Sequence, residues 1–206
     1  MTADPPATTP AGELLPGAPG PIGVYPGSFD PPTVAHLAVA EAAMSFAGLA
    51  RVDLVISRTT LGKEGGGATL PEERLEVLLA VAASRPWLGA RISESGLIAD
   101  IASGYDVVVM GADKWEQVRD PRWYAGSEEA RDAAVSRLPR VLVAPRAGHR
   151  LTAAGVAPAE LLVVDPVHLG VSSTAVRSGR HDWMLPEAVA WSRGRGCWGV
   201  SPSADG

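Results

Sequence analysis

The stretch Ile22-Gly23-Val24-Tyr25-Pro26-Gly27-Ser28-Phe29-Asp30-Pro31-Pro32-Thr33-Val34-Ala35-His36 decides how this chain is read. Ile22–Tyr25 is a short apolar run that stops at Pro26-Gly27, and the segment from Thr33 to Ala47 is rich in alanine with Leu and Val at helical spacing. That is strand, loop and helix. Gly27 lets backbone come close to a ligand, and the free N–H groups at a helix start favour anions. Thr33 and His36, three residues apart, share one helix face and point at one spot. Such a corner can hold phosphate.

Working outward, strands and helices alternate. Val52–Ile56 is a second apolar strand, followed by a glycine-rich loop over 59–68 that contains Gly62 and Gly65-Gly66-Gly67. Thr69 with Glu72 forms a capping-box pattern, and Leu75, Leu78, Leu79 and Ala82 then fall on one face of a helix ending before Pro86. Ala90–Ser93 reads as a third strand. Val107–Met110 is a continuous run ending at Gly111, as a central strand buried on both faces requires. Ser127 before Glu128 and Glu129 opens another helix, and Val141–Ala144 and Leu161–Val164 read as two more short buried strands. This alternation predicts an α/β fold, a Rossmann-like doubly wound parallel sheet in a single domain, with its ligand site outside the carboxyl ends of the strands where the strand order reverses.

Composition is consistent with that expectation. The chain has 206 residues, 46% apolar and 20% charged, enough for one domain with a real core. Its net charge of −5 carries no basic block, which argues against a nucleic-acid partner but leaves small anions open. Cys197 is the only cysteine, so neither a disulfide framework nor a cysteine zinc site can be built, and no protein-held metal is expected. The first residues lack the basic and apolar regions of a signal peptide, and no apolar run approaches the roughly 20 residues needed to span a membrane. A cytoplasmic protein with no membrane partner is expected: a disordered tail over 1–21, a domain over 22–192, and a C-terminal tail over 193–206.

Gly27-Ser28-Phe29-Asp30-Pro31 followed by Thr33-Val34-Ala35-His36 resembles the signature of the nucleotidyltransferases written (H/T)xGH, with Ala35 standing where the family has glycine. A second stretch, Val171-Ser172-Ser173-Thr174-Ala175-Val176-Arg177, resembles the family's Ile-Ser-Ser-Thr-x-Ile-Arg. Hydroxyl residues opening a helix offer donors to phosphate oxygens, and Arg177 adds a charged fork one turn later. Gly111-Ala112-Asp113 resembles the Gly-x-Asp of the nicotinate or nicotinamide mononucleotide adenylyltransferases, and Val143-Ala144-Pro145-Arg146-Ala147-Gly148 resembles, more distantly, an Arg-Pro-Gly of that branch. The likeness runs over roughly residues 22–190, with both motifs in order.

The resemblance implies a Mg²⁺-dependent transfer of AMP from ATP to a small phosphorylated acceptor, most like nicotinate or nicotinamide mononucleotide, with release of pyrophosphate. It implies catalytic roles for His36, Thr33 and Arg177, and nucleotide contacts from Gly27, Ser28, Phe29, Asp30, Thr33, His36, Gly111, Asp113, Ser172, Ser173, Thr174 and Arg177. Lys63 and Arg146 are candidate phosphate ligands. The Pro-Pro-His-Lys and Ser-Tyr-Thr stretches of the pyridine branch are missing; Arg58-Thr59-Thr60-Leu61-Gly62-Lys63 and Gly96-Leu97-Ile98-Ala99-Asp100-Ile101 stand in those regions. Other acceptors therefore stay open, phosphopantetheine-like or sugar or alcohol phosphates, as do CTP or another triphosphate as donor, a non-catalytic nucleotide-binding homologue, and a homo-oligomer. Trp87, Trp115, Trp123 and Trp183 are read as core fillers rather than base-stacking groups.

Overall fold

The computed structural model describes residues 20–59, 69–149 and 158–200. Six parallel strands form one sheet in the order β3-β2-β1-β4-β5-β6. They are β1 (Ile22–Pro26), β2 (Arg51–Ser57), β3 (Leu88–Ser93), β4 (Val107–Gly111), β5 (Arg140–Ala144) and β6 (Glu160–Leu161). The chain builds outward from β1 to β3 and then returns to the other side of β1 with β4, so the order reverses between β1 and β4. This is the doubly wound α/β fold, with its switch point at the carboxyl ends of β1 and β4.

The continuous apolar runs are explained by burial on both faces. Tyr25, Leu54, Ile56, Val107 and Val109 pack into one core, with helix α1 (Val34–Ala47) and α2 (Pro71–Ala83). Their strand neighbours Val24, Val55, Val108 and Met110 pack into a second core on the opposite face, with α3 (Ile98–Ile101) and α4 (Ala112–Arg119). Period-two alternation sends successive residues to opposite faces, so a strand covered on both needs apolar residues throughout. The remaining helices are α5 (Glu128–Ser136), α6 (Ser173–Arg177) and α7 (Pro186–Arg193). Among the described residues, no helix is long and apolar enough to cross a membrane.

Several local expectations shift. The cap of α2 lies one residue later than the Thr69/Glu72 pattern suggests: the Leu70 N–H donates to Glu73 Oε2 at 2.7 Å. Thr69 turns inward to Asp30, and Glu72 pairs with Arg58. The buried face of α2 is accordingly Arg74, Val77, Leu78 and Val81, while Leu79 is exposed. The strand expected over Leu161–Val164 is only Glu160–Leu161, an exposed edge; Leu162 is buried but Val163 faces solvent. Ser127 caps α5 as its position predicts, accepting from the Ala130 N–H at 3.1 Å. The glycine-rich segment 60–68, with Lys63, lies outside the described residues, as do residues 1–19 of the expected N-terminal tail.

A polar cluster is enclosed between the sheet and α3. Arg51 Nε donates to Asp53 Oδ1 at 2.6 Å, Tyr105 Oη donates to Asp53 Oδ2 at 2.8 Å, and Arg91 Nε donates to Tyr105 Oη at 3.0 Å. Burial raises the Tyr105 phenol above its ordinary value, with the Asp53 charge adding to the shift, so the hydroxyl remains a donor. Gly89, opposite Asp53 in the ladder, leaves the room this cluster needs, because a Cβ there would lie 2.0 Å from Asp53 Oδ1. Gly89→Ala is expected to destabilise the protein by about 1–3 kcal/mol through forced displacement of Asp53 and Arg51. Urea unfolding measures this, and an unchanged midpoint would contradict the crowding argument.

Candidate functional site

The loop from Gly27 to Thr33 leaves the carboxyl end of β1 at the switch point, and distant parts of the chain grip it through its carbonyls and the Asp30 side chain. The Ser28 carbonyl accepts from Arg74 Nη1 at 2.8 Å, the Asp30 carbonyl from Arg177 Nη1, and the Pro31 carbonyl from Ser173 Oγ at 2.7 Å. The Pro32 carbonyl accepts from the Leu185 N–H at 3.4 Å. The buried Asp30 side chain accepts from Thr69 Oγ1 at 2.9 Å and Trp198 Nε1 at 2.6 Å, both through Oδ1, and its Oδ2 lies 3.9 Å from Arg177 Nη1. Asp30 therefore shapes the loop from inside.

Phe29 adopts φ 47°, the left-handed region that a non-glycine residue enters only when its surroundings fix it. Its buried ring meets Tyr25 and His36 edge-on, with centroids 5.6 and 5.0 Å away. Gly27 is required for this packing: a Cβ there would sit 2.7 Å from the Phe29 ring. The space above Gly27 is thus partly taken by Phe29, in addition to any ligand.

His36 opens toward a cleft of about 390 Å³. Its Nδ1 accepts from the Thr33 N–H at 3.0 Å and lies 2.9 Å from Thr33 Oγ1. An imidazole nitrogen that accepts leaves the other to carry the proton, so Nε2 is the donor. Burial, with the Arg146 charge adding to it and Asp113 opposing, lowers the His36 pKa to about 4. Thr33 is itself fully buried, so its hydroxyl orients the imidazole from within.

All the described residues singled out from the two motifs line this one cleft: Gly27, Ser28, Phe29, Asp30, Thr33 and His36 from the first, and Ser172, Ser173, Thr174 and Arg177 from the second. Ala35, Gly111, Asp113 and Arg146 line it as well. Ser172 caps α6 by accepting from the Ala175 N–H at 3.1 Å. Ser173 Oγ holds Pro31, so these hydroxyls fasten α6 to the loop, while the half-exposed Arg177 lies between the loop and the cleft. Across it, Arg146 Nη1 pairs with Asp113 Oδ2 at 3.1 Å.

A second, smaller hollow of about 90 Å³ opens beside the first and shares Pro26, Gly27, Ser28, Lys114, Gln117 and Trp123 with it. Val55, Leu97, Ile98, Ile101 and Val118 make an apolar floor, with Arg74 and Lys114 as its cations. Trp123 stands at the junction, 37% exposed, whereas Trp115 is fully buried in the core. Trp123 is thus a cleft residue, against the expectation that it fills the core, and Arg74, Lys114 and Gln117 also went unmarked in the sequence. The available signal was the turn-forming pair Asp120-Pro121; in the structure the Asp120 side chain accepts from the Arg122 N–H at 3.0 Å and turns the chain just before Trp123-Tyr124.

A family model described as cytidylyltransferase-like matches residues 24–179. No curated protein matches. Among solved structures, the chain is similar to Plasmodium falciparum nicotinic acid mononucleotide adenylyltransferase complexed with NaAD, at 14% identity and TM-score 0.68, covering 88% of this chain and 98% of that one. It is similar also to that enzyme complexed with APC, at 15% identity and TM-score 0.65, with the same coverage of both chains. At these identities the likeness is one of fold.

The lowered His36 pKa has a signed consequence. Between about pH 4 and 6.5 the unfolded chain binds the proton that folded His36 refuses, so this residue makes stability rise with pH across that window. Histidine NMR should find the ring neutral at pH 5.5 with its proton on Nε2, and unfolding of His36→Gln should show a shallower pH slope there. A His36 titration midpoint near 6.5 would overturn this account.

Proposed function

The chain belongs to the cytidylyltransferase-like family and is a nucleotidyltransferase, and from that premise we propose that it moves AMP from ATP to nicotinate or nicotinamide mononucleotide. One observation carries the reading: a single cleft at the sheet's switch point gathers both phosphate-type motifs and continues into an apolar hollow gated by Trp123. The triphosphate belongs in the larger space, against the start of α1 and Arg177. The smaller hollow suits a flat ring, with Trp123 for stacking and Arg74 and Lys114 for the acceptor's negative charge. The likeness of fold to an enzyme complexed with NaAD supports the same acceptor class.

In the proposed reaction, an oxygen of the acceptor's phosphate attacks the α-phosphorus of ATP in line, the bond from that phosphorus to the bridging oxygen breaks, and pyrophosphate leaves. The protein's part is positioning and charge stabilisation. His36 donates from Nε2 to a phosphate oxygen, while Thr33 fixes the ring's tautomer. The incoming phosphates raise its proton affinity, opposing the burial and the Arg146 charge that hold it down. Arg177 supports the charge that develops, and the free N–H groups of Val34 and Ala35 at the start of α1 face the same anion. Lys63 is a further candidate for the phosphates. Among the described residues, no group of three or more His, Cys, Asp or Glu forms a metal cage. In this reading Mg²⁺ enters with ATP as part of the substrate, neutralising the triphosphate. The enzyme is proposed to act in the cytoplasm.

The deciding experiment is pyrophosphate release from Mg·ATP with and without nicotinate mononucleotide, extended to nicotinamide mononucleotide, 4′-phosphopantetheine and CTP. Acceptor-dependent release is expected, with His36→Ala slowed roughly 100- to 1000-fold. Release only with CTP or with phosphopantetheine would overturn the substrate assignment, and ATP binding without release under any pairing would overturn the catalytic one.

A further inference from the structure

After α7 the described chain continues through residues 194–200. It turns back along the molecule, with Arg195 and Gly196 N–H groups on the Ser192 carbonyl at 3.0 and 2.8 Å and Ser192 Oγ donating to the Cys197 carbonyl. Glu76 on α2 holds its base, accepting from Trp191 Nε1 at 3.1 Å and Arg195 Nη2 at 3.3 Å. Trp198 follows in the left-handed region, φ 53°, and is 3% exposed, packed on Trp191 with ring centroids 5.2 Å apart. A buried tryptophan in that backbone region persists only where its surroundings fix it. Here they aim the indole N–H at Asp30 Oδ1, 2.6 Å away.

We propose that Trp198 is a positioning residue for nucleotidyl transfer, acting through Asp30 on the phosphate-binding loop; this rests on the function proposed above. Asp30 lies between the two halves of the cradle. On one side Phe29 packs edge-on to His36, and on the other the Pro31 carbonyl holds Ser173 of α6. Arg177 reaches the Asp30 carbonyl as well. Movement of Asp30 therefore moves the His36 donor and the Arg177 fork together, and sub-ångström errors in such groups are felt in the transition state more than in the bound ground state. The matched family region ends at residue 179, so this strap lies outside it. It joins the two ends of the domain, with the partners 168 residues apart in sequence.

The test is Trp198→Phe in the full chain, which keeps an aromatic ring and removes the indole N–H together with part of the buried ring volume. The expected result is a fall in kcat of about 10- to 100-fold with KM for ATP changed less than about threefold, and faster amide exchange over residues 27–37 while β2 and β4 are unchanged. Thermal unfolding separates a folding defect: a loss of activity that merely tracks the folded fraction overturns the proposal. So does unchanged kcat in the variant when the wild type is active, or unchanged exchange over 27–37. Thr69→Val, which removes the other donor to the same oxygen, should lower kcat in the same manner, and a Thr69→Val effect on KM alone would count against the route through Asp30. If the wild type releases no pyrophosphate with any acceptor, the functional reading fails and the catalytic role of Trp198 falls with it, whereas the exchange data separately decide whether the strap holds the loop.

Discussion

Asp30 is the point on which the rest of the site depends. A carboxylate 5% exposed has left water and must be compensated by donors, because an unpaired buried charge costs several kcal/mol. Thr69, Trp198 and Arg177 supply that compensation from the start of α2, the C-terminal strap and α6. The same constraint fixes backbone. With Asp30 held, Phe29 keeps its left-handed conformation beneath Gly27, and the carbonyls of Ser28, Asp30, Pro31 and Pro32 meet Arg74, Arg177, Ser173 and Leu185. The carbonyl dipoles, which would repel phosphate, are thereby occupied by donors.

The sheet explains why these groups converge at all. Reversal of strand order between β1 and β4 opens a crevice at their carboxyl ends, and α1 starts at its edge. The two hollows then fall on either side of β1: the apolar one between β2, α3 and α4, and the larger cleft toward β5 and α6. Gly27 and Ser28 belong to both walls, which puts the loop where the two hollows meet.

Much of this was legible in the sequence, and what was not has a physical reason. Val107–Met110 announced a central strand because double-sided burial demands an unbroken apolar run, and Thr33 with His36 announced a shared helix face because helical spacing is local. Thr69 misled because its hydroxyl has a tertiary partner stronger than the local cap, so the helix starts one residue later. Leu161–Val164 looked like a buried strand although pairing stops at Leu161, since apolar composition does not reveal whether a neighbour lies alongside. Trp115 and Trp123 are alike in sequence; only the turn after α4 sends one into the core and the other to the cleft. Trp198 was invisible for a related reason: its partner stands 168 residues away, and no local pattern encodes that contact.

The distribution of charge pairs over the site follows the order of events that binding requires. Interactions that fix the loop are buried and short-ranged, so leaving any donor or acceptor there unpaired is costly, and the cradle is organised before ligand arrives. The Arg146 and Asp113 pair is different: both side chains are more than 40% exposed, in the regime where an ion pair contributes roughly 0–1 kcal/mol. In the proposed reading, a triphosphate beside Arg146 exchanges partners with Asp113 at little cost, whereas it cannot displace Thr69 or Trp198 from Asp30 without exposing a buried carboxylate. Rigidity therefore resides behind the loop and adaptability in front of it, which is the arrangement expected of a site that must bind a polyanion tightly enough to align it and loosely enough to release pyrophosphate.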